Sequence, residues 1–525
     1  MPKAVQTWLL AALAAAASAL TFSPFSWWFL VPVAPACIAW LADRPTRAAP
    51  WALWACSLIT WLWWERWIMD VSVAGYVPLA LYGSLYTPIA WWLAERLRRR
   101  NPAIPLAVVT ALALVCAEWL RGVVIMNGYP WYLAGSPLVD FTAVAQAADI
   151  FGPSWGTLVA AAVGGAGAGL MLRRERRTAS IVAAALVVAC LYGAQQVAAL
   201  PGGVRVLLVQ TNLPTSNKLA WSRQGQIDDF SEFCRQTIAG AADQAEGGTP
   251  VDLAVWPETM LPGFGLEPET LAVLESGPYW PGRHFADGIS ATQRAVSAPL
   301  LVGSGAYLGL RTAGEFWEWD RHFNSAYLLR DGYQPQRADK VFLTPFGETM
   351  PYISSWKWLE ERLLDFGAAG MKFDLDSGAE PERFAILSPD SGFRFATPIC
   401  FEDTVASVCR TLAYPNRRKD IDALINLSND GWFGLDDDGR ADHELLARWR
   451  CIELRVPMAR CANTGRSSFI DSRGVVVGQA PPRVATTLTS VMLRDRRSST
   501  YGITGDLLSP AFSLAAAGLC LWKRR

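Results

Sequence analysis

Histidine is scarce in this chain: three residues in 525, His284, His322 and His443. A Ser-His-Asp or Cys-His site therefore has few candidates. His443 opens a helical stretch (Asp442-His443-Glu444) and reads as a surface or capping residue. There is no Cys-x-x-Cys and no Cys/His cluster, so no zinc site is expected, and no other metal or cofactor is called for. Charge is sparse too, at 18% of residues, and 47 basic side chains balance 47 acidic ones. That balance leaves no nucleic-acid footprint in the totals. Gly303-Ser304-Gly305 lacks the full pattern of a nucleophile elbow. No repeat or low-complexity segment stands out.

Apolar residues are plentiful instead. They make up 52% of the chain, the mean hydropathy is +0.18, and there are 25 tryptophans. Apolar runs near 6–21, 25–42, 50–69, 73–94, 104–120, 154–172, 180–199 and 506–521 predict a polytopic α-helical membrane bundle of about eight spans. The first, second and last are short for a bilayer. The first could be the apolar core of a signal peptide, but it runs directly into the second, which favours an uncleaved anchor. Trp27, Trp28, Trp51, Trp64, Trp91 and Trp92 lie at the ends of runs, where an interfacial belt would place them. Basic residues between runs alternate. One side receives Lys3, Arg44, Arg47, Arg96, Arg98, Arg99, Arg100, Arg173, Arg174, Arg176, Arg177, Lys523, Arg524 and Arg525; the other receives Arg66 and Arg121. The positive-inside rule then predicts cytoplasmic termini and an extracytoplasmic segment after the seventh span. The expected division is 1–200 for the seven-helix part, 201–500 for a catalytic domain, and 501–525 for a last helix with a basic tail. Gly164, Gly165, Gly167 and Gly169 in one span read as close helix packing.

Residues 203–495 read as one α/β domain. Strand-like runs fall at 204–210, 253–256, 300–303, 393–399, 423–427, 467–471, 475–477 and 487–493, with a hairpin at 324–329 and 334–340. Helical patterns separate them at 224–240, 267–276, 288–297, 403–413 and 441–457. This alternation predicts a layered sheet with helices outside. Two long apolar segments, 261–285 and 346–371, fit a compact domain less well. They read either as ordinary packing or as arms resting on the membrane and gating a site.

Three motifs each deliver one reactive group. Val255-Trp256-Pro257-Glu258 brings a carboxylate. Lys340-Val341-Phe342-Leu343-Thr344-Pro345-Phe346-Gly347-Glu348 brings an amine and a second acid. Thr397-Pro398-Ile399-Cys400-Phe401-Glu402-Asp403 brings a thiol. Carboxylate, ammonium and thiol are the parts needed for acyl transfer through a thioester. Cys400 at a strand-to-helix turn can have its thiolate stabilised by the helix N-terminus and by Lys340. Lys340 can also stabilise an oxyanion, and Glu258 can carry the thiol proton. Cys234, Cys400, Cys409, Cys451 and Cys461 lie in the extracytoplasmic part, where disulfides are possible; five is odd, so at least one thiol there stays unpaired. Trp221 reads equally as an apolar anchor or a core residue.

The Trp-Pro-Glu, Lys-x-x-Leu-x-Pro-Phe-Gly-Glu and Cys-Phe-Glu motifs resemble the nitrilase superfamily. The flanking membrane spans resemble its apolipoprotein N-acyltransferase family. Asn426-Leu427-Ser428-Asn429-Asp430-Gly431-Trp432-Phe433-Gly434 and the stretch from His443 through Pro457 to Asn463-Thr464-Gly465 resemble it as well. The resemblance covers essentially the whole chain. It implies a nitrilase-like αββα sandwich on the periplasmic face of a bacterial inner membrane. It implies Cys400 as nucleophile, Glu258 as base, Lys340 as charge stabiliser, and Glu348 and Glu402 as supporting acids. It implies that Trp221 and Trp432 shape the substrate pocket. Phe401 stands where the family commonly has Tyr, so a hydroxyl is missing beside the nucleophile. The implied reaction is ping-pong: a phospholipid acyl donor acylates Cys400, and the α-amine of a diacylglyceryl-apolipoprotein accepts the chain. Membrane lipids are the expected surroundings. A membrane-anchored amidase using water is the alternative.

Overall fold

A computed structural model describes residues 2–196, 202–214, 221–277, 281–313, 316–353, 355–356, 358, 362, 375–386 and 392–521. Helices of eight or more residues are numbered in chain order. The N-terminal part consists of α1 (Lys3–Thr21), α2 (Val33–Asp43), α3 (Ala49–Trp64), α4 (Val73–Ser84), α5 (Tyr86–Arg100), α6 (Leu106–Trp119), α7 (Trp155–Arg173) and α8 (Arg176–Ala194). Their outward faces stay apolar, with Leu9, Ile59, Met171 and Val188 exposed. A helix apolar all round suits lipid rather than water. Among the described residues, Lys3–Thr21, Leu106–Asn127, Trp155–Arg173 and Arg176–Ala194 are long and apolar enough to cross a membrane. Trp28–Asp43 and Leu508–Leu521 are apolar but shorter. The run expected at 73–94 is divided at Leu85 between α4 and α5; Pro88 has no N–H to give the Ser84 carbonyl, which interrupts the helix there. The run at 50–69 is α-helical only to Trp64 and continues as a 3-10 turn over Glu65–Asp70. Gly164 and Gly165 let α7 pack closely: an added Cβ would lie 2.4 Å from the Pro32 carbonyl oxygen and 2.7 Å from Ala107 Cα. At one end of the bundle Asp43 of α2 receives Arg98 of α5 and Arg173 of α7, each at 2.9 Å.

The α/β part holds fourteen described strands: β1 (Gly203–Gln210), β2 (Leu253–Val255), β3 (Leu300–Leu308), β4 (Arg311–Ala313), β5 (Phe316–Glu318), β6 (Arg321–Leu329), β7 (Gln336–Asp339), β8 (Arg383–Ile386), β9 (Phe393–Ala396), β10 (Ala423–Ser428), β11 (Met458–Ala462), β12 (Ser468–Ile470), β13 (Val476–Gln479) and β14 (Thr486–Leu493). One six-stranded sheet has the order β14-β1-β2-β3-β6-β7, the other β13-β12-β11-β10-β9-β8, and β4-β5 form a small ribbon. Each large sheet has a parallel centre and antiparallel edges. Alternate side chains decide the layers. Val204, Val206 and Leu208 of β1 meet Phe393, Phe395, Ala423, Ile425 and Leu427 of β9 and β10 between the sheets. Leu207 and Val209 face the opposite way, onto Phe230 and Phe233 of α9 (Arg223–Glu246) and Ile289 of α11 (His284–Val296), α10 being Pro268–Ser276. On the far side Leu424 packs with Cys409 and Leu412 of α12 (Ala406–Ala413) and Ala447 and Cys451 of α13 (Asp437–Leu454). The domain is therefore an αββα sandwich, and both faces of each sheet are covered, which explains why Val206–Val209 of β1 and Ala423–Ile425 of β10 are apolar at every position. α14 (Leu508–Leu521) returns to the helical bundle beside α5 and α6.

The two parts share one apolar core. Trp61, Trp64, Trp131, Tyr132 and Val139 pack with Phe401, Phe433, Leu445, Leu446 and Trp449. Polar bonds reinforce it: Trp449 Nε1 donates to the Ser136 carbonyl (2.8 Å), Arg455 to Asp149 (2.9 Å) and Gln146 (2.5 Å), and Ser23 Oγ to Asp438 (2.7 Å).

Candidate active site

Glu258 leaves the sheet directly after β2, because Pro257 offers no N–H to extend the ladder. The carboxylate is buried and held from two sides. Asn324 Nδ2 of β6 donates to Oε1 at 2.6 Å, and the Asn429 backbone N–H donates to Oε2 at 2.8 Å. Gly303 of β3 passes under this turn: a Cβ there would sit 2.5 Å from the Pro257 carbonyl oxygen and 2.6 Å from Glu258 Cα. This close approach, not a nucleophile elbow, accounts for the glycine. Gly303→Ala should push Glu258 outward and cost about 1–3 kcal/mol, read as a lower unfolding temperature of the detergent-solubilised protein.

Lys340 follows β7 and is fully buried. Its backbone N–H donates to the Asn324 carbonyl at 2.8 Å, so one asparagine registers both the carboxylate and the amine. Nζ donates to Glu348 Oε2 at 2.6 Å and to Thr344 Oγ1 at 3.3 Å. Burial pulls the lysine pKa down, but the Glu348 charge, then Cys400 and Glu258, outweigh it, and the net shift is upward. Glu348 is held below the usual carboxylate range: burial opposes this, but Lys340 and the Thr344 N–H (2.8 Å) prevail.

Cys400 is half-buried in a left-handed backbone conformation, φ +51°, uncommon for a residue with a Cβ. Ile399 before it bridges to Leu427 of β10, and Asn426 Nδ2 donates to the Pro398 and Cys400 carbonyls at 3.1 and 3.2 Å. Burial pushes the thiol pKa well up, the Glu258 charge adds to this, and Lys340 opposes it. Where a helix was expected directly after the thiol, Cys400 opens a five-residue 3-10 turn, Cys400–Thr404; the raised thiol pKa fits the expected need for a base such as Glu258.

Glu402 joins the thiol turn to the lysine loop. Oε2 accepts the Ile399 N–H at 2.7 Å, and Oε1 accepts the Val341 and Phe342 N–H groups, both at 2.8 Å. Burial raises its pKa to about 7 against these three donors. Phe401 is buried beside Phe342 (ring centroids 6.2 Å apart, 15° between planes) in the core shared with the helical bundle. An apolar ring suits that setting.

Two expected site residues sit differently. Trp221 packs against the outer core of the first sheet and donates Nε1 to Asp229 at 2.8 Å; these partners are not the Glu258, Lys340 and Cys400 group. Trp432 is partly exposed on the turn Asp430–Phe433, three residues beyond Asn429. His443 is corrected outright: it is buried, bonded through Nε2 to Asp403 (2.8 Å) and through Nδ1 to Asp430 (3.3 Å). Arg460 completes the group, Nε to Asp403 at 2.9 Å. Sequence reasoning also missed Asn324; its signal was a buried-strand amide directly before the run Ser325-Ala326-Tyr327-Leu328-Leu329. Of the segment 346–371, a large share lies outside the described residues, including Leu359, Leu363, Leu364 and Phe366; in the described share Phe346, Tyr352, Trp356 and Trp358 are exposed. Among the described residues no group of His, Cys, Asp and Glu is arranged to hold a metal ion.

Comparison with known proteins gives two family matches. Residues 14–166 match the apolipoprotein N-acyltransferase N-terminal domain, and residues 206–500 match carbon-nitrogen hydrolase. An apolipoprotein N-acyltransferase from Methylococcus capsulatus is 28% identical over 96% of this chain and 94% of its own. The same enzyme from Sinorhizobium medicae is 30% identical over 88% of this chain and 83% of its own, and one from Vibrio cholerae 26% identical over 98% and 97%.

Proposed function

Because the chain belongs to the apolipoprotein N-acyltransferase family, we propose that it moves a fatty acyl chain from a phospholipid to the α-amine of a diacylglyceryl-cysteine at the N-terminus of a lipoprotein, through a thioester on Cys400. The observation that carries this reading is the bonding that gathers the three groups: Asn324 binds the Glu258 carboxylate and the Lys340 N–H, and Glu402 ties the Lys340 loop to the Cys400 turn.

The steps follow from the groups. Glu258 takes the thiol proton as Sγ attacks the ester carbonyl carbon. The tetrahedral oxyanion forms beside the Lys340 ammonium, which Glu348 keeps charged. Collapse breaks the ester C–O bond, the glycerol oxygen takes the proton from Glu258, and a lysophospholipid leaves. The lipoprotein amine then attacks the thioester, Glu258 takes its proton, the C–S bond breaks, and Cys400 regains its proton as the amide forms.

Under this proposal the chain is a multi-pass protein of the bacterial inner membrane. Residues 1–200 and 501–525 supply eight spans, with both termini cytoplasmic, and residues 201–500 work on the periplasmic face. The cluster of Asp43, Arg98 and Arg173 supports this orientation, because it lies on α2, α5 and α7 away from Ser23 and Arg66, which meet the α/β domain. Exposed Tyr352, Trp356 and Trp358 would rest in the outer leaflet and limit water at the thioester. The resemblance assigns Trp221 and Trp432 to the walls of the lipid site; of the two, Trp432 lies on the turn that follows Asn429, whereas Trp221 packs on the outer core of the first sheet.

The test is intact-protein mass spectrometry after incubation with phospholipid vesicles and no amine acceptor. The full-length protein should gain one acyl mass on Cys400, removed by neutral hydroxylamine and missing in Cys400→Ala. Acyl transfer that continues with Cys400 unmodified sinks the mechanism; an adduct cleared by water as fast as by amine points to an amidase.

A further inference from the structure

His443 lies outside the reacting groups, yet it connects the turn that carries Cys400 to the loop that orients Glu258. Asp403 sits three residues after Cys400, on the same 3-10 turn. Asp430 directly follows Asn429, whose backbone N–H orients Glu258. The His443 ring, on α13, bonds both aspartates, at 2.8 and 3.3 Å. An ionised carboxylate only accepts hydrogen bonds, so two carboxylate partners require both ring nitrogens to donate, and the ring is an imidazolium. The other charged groups facing it are Arg460 of β11, 2.9 Å from Asp403 and 4.0 Å from Asp430, while Trp131 and Phe433 cover the ring at 5.6 and 5.9 Å between centroids. Ser428 Oγ also donates to Asp430, at 2.6 Å. Two buried aspartates thus face the Arg460 guanidinium and the imidazolium, with buried Arg440 of α13 also within electrostatic reach of Asp430. Asp430 is close enough to raise the Cys400 pKa, so an uncompensated negative charge here acts against the thiolate.

We propose that His443 is a positioning residue for acyl transfer: its ring ties the Cys400 turn to the loop that orients Glu258, and its positive charge offsets the aspartates behind the thiol. The inference rests on Cys400 as nucleophile and Glu258 as base. The ring pKa supports it: burial lowers it, but Asp403 and Asp430 outweigh burial and Arg460, raising it to about 9. Its folded value lies above the ordinary 6.5, so its contribution to stability is complete below pH 6.5 and is lost as pH rises through about 9.

The experiment follows alkylation of Cys400 by iodoacetamide against pH in the full-length protein, alongside acylation by phospholipid vesicles. His443→Gln keeps a donor and loses the charge. The alkylation midpoint should move up by about one pH unit. The acylation rate should fall about tenfold with half-saturating phospholipid unchanged, since geometry rather than lipid binding is lost. Asp430→Asn should move the midpoint down, and adding it to His443→Gln should bring the midpoint back toward the parent. A midpoint left in place in folded His443→Gln overturns the proposal. If that variant does not fold, Asp430→Asn decides, and an unmoved midpoint there overturns it equally. A thiol that alkylates normally but never takes an acyl group from lipid tells instead against the proposed function.

Discussion

Glu258→Gln should leave Cys400 unacylated over any practical incubation, a loss of at least about a thousandfold in the acylation rate, within the range attributed to general base catalysis. The expectation follows from the thiol. Cys400 is held protonated by burial and by the Glu258 charge, so attack needs a base within reach at that moment. An amide cannot take the proton. It can fill the same space, however. Among the described residues Asn324 Oδ1 is buried without a hydrogen-bond partner, so the Asn324 amide can turn and accept from the introduced amide, while the Asn429 N–H keeps an oxygen acceptor. Unfolding temperature should therefore stay close to that of the parent protein while the acyl adduct disappears from the mass spectrum. A normal adduct in this variant removes Glu258 as the base.

Glu402→Ala should be damaging in both stability and rate. Three backbone N–H groups lose their acceptor together: Ile399, Val341 and Phe342. Each unsatisfied buried donor costs about 1–3 kcal/mol, so a loss of several kcal/mol is expected, enough to lower the unfolding temperature strongly. The same three bonds are what hold the Lys340 loop to the Cys400 turn, so misalignment of ammonium and thiol should reduce acylation about a hundredfold in the protein that remains folded. Parent-like stability with parent-like acylation would contradict this role.

Much of the sandwich is legible in the chain because its central strands are apolar on both faces; β1, β2, β3 and β10 fall where the runs predict. β11 was missed. Met458-Ala459-Arg460-Cys461-Ala462 carries a charge at its centre, and only the fold brings Asp403 and Asp430 to neutralise it. The helix expected to reach 457 stops at Leu454, with Arg455 in the left-handed conformation. Short β8 was missed as well. His443 was misread for the same reason as β11, since its partners lie forty and thirteen residues away in sequence. Glu258, Lys340 and Cys400, and Glu402 with them, could be named in the chain because each has local neighbours that repeat a family motif. Asn324 could not, because its partners, the Glu258 carboxylate and the Lys340 N–H, come from other segments.

The shared core between helical bundle and sandwich carries a consequence for selectivity. α13 does not hang from a tether; Trp449, Leu445 and Arg455 lock it to residues 136–149. Cys400 therefore stands at a set elevation over the helices, like the needle of a depth gauge. Under the proposed orientation, a bond reacts when it rides in the leaflet at that height. Two lipids as different as a phosphoglyceride and a lipidated peptide can then be served in turn by one thiol, matched by how deep their reactive atoms float rather than by a common headgroup.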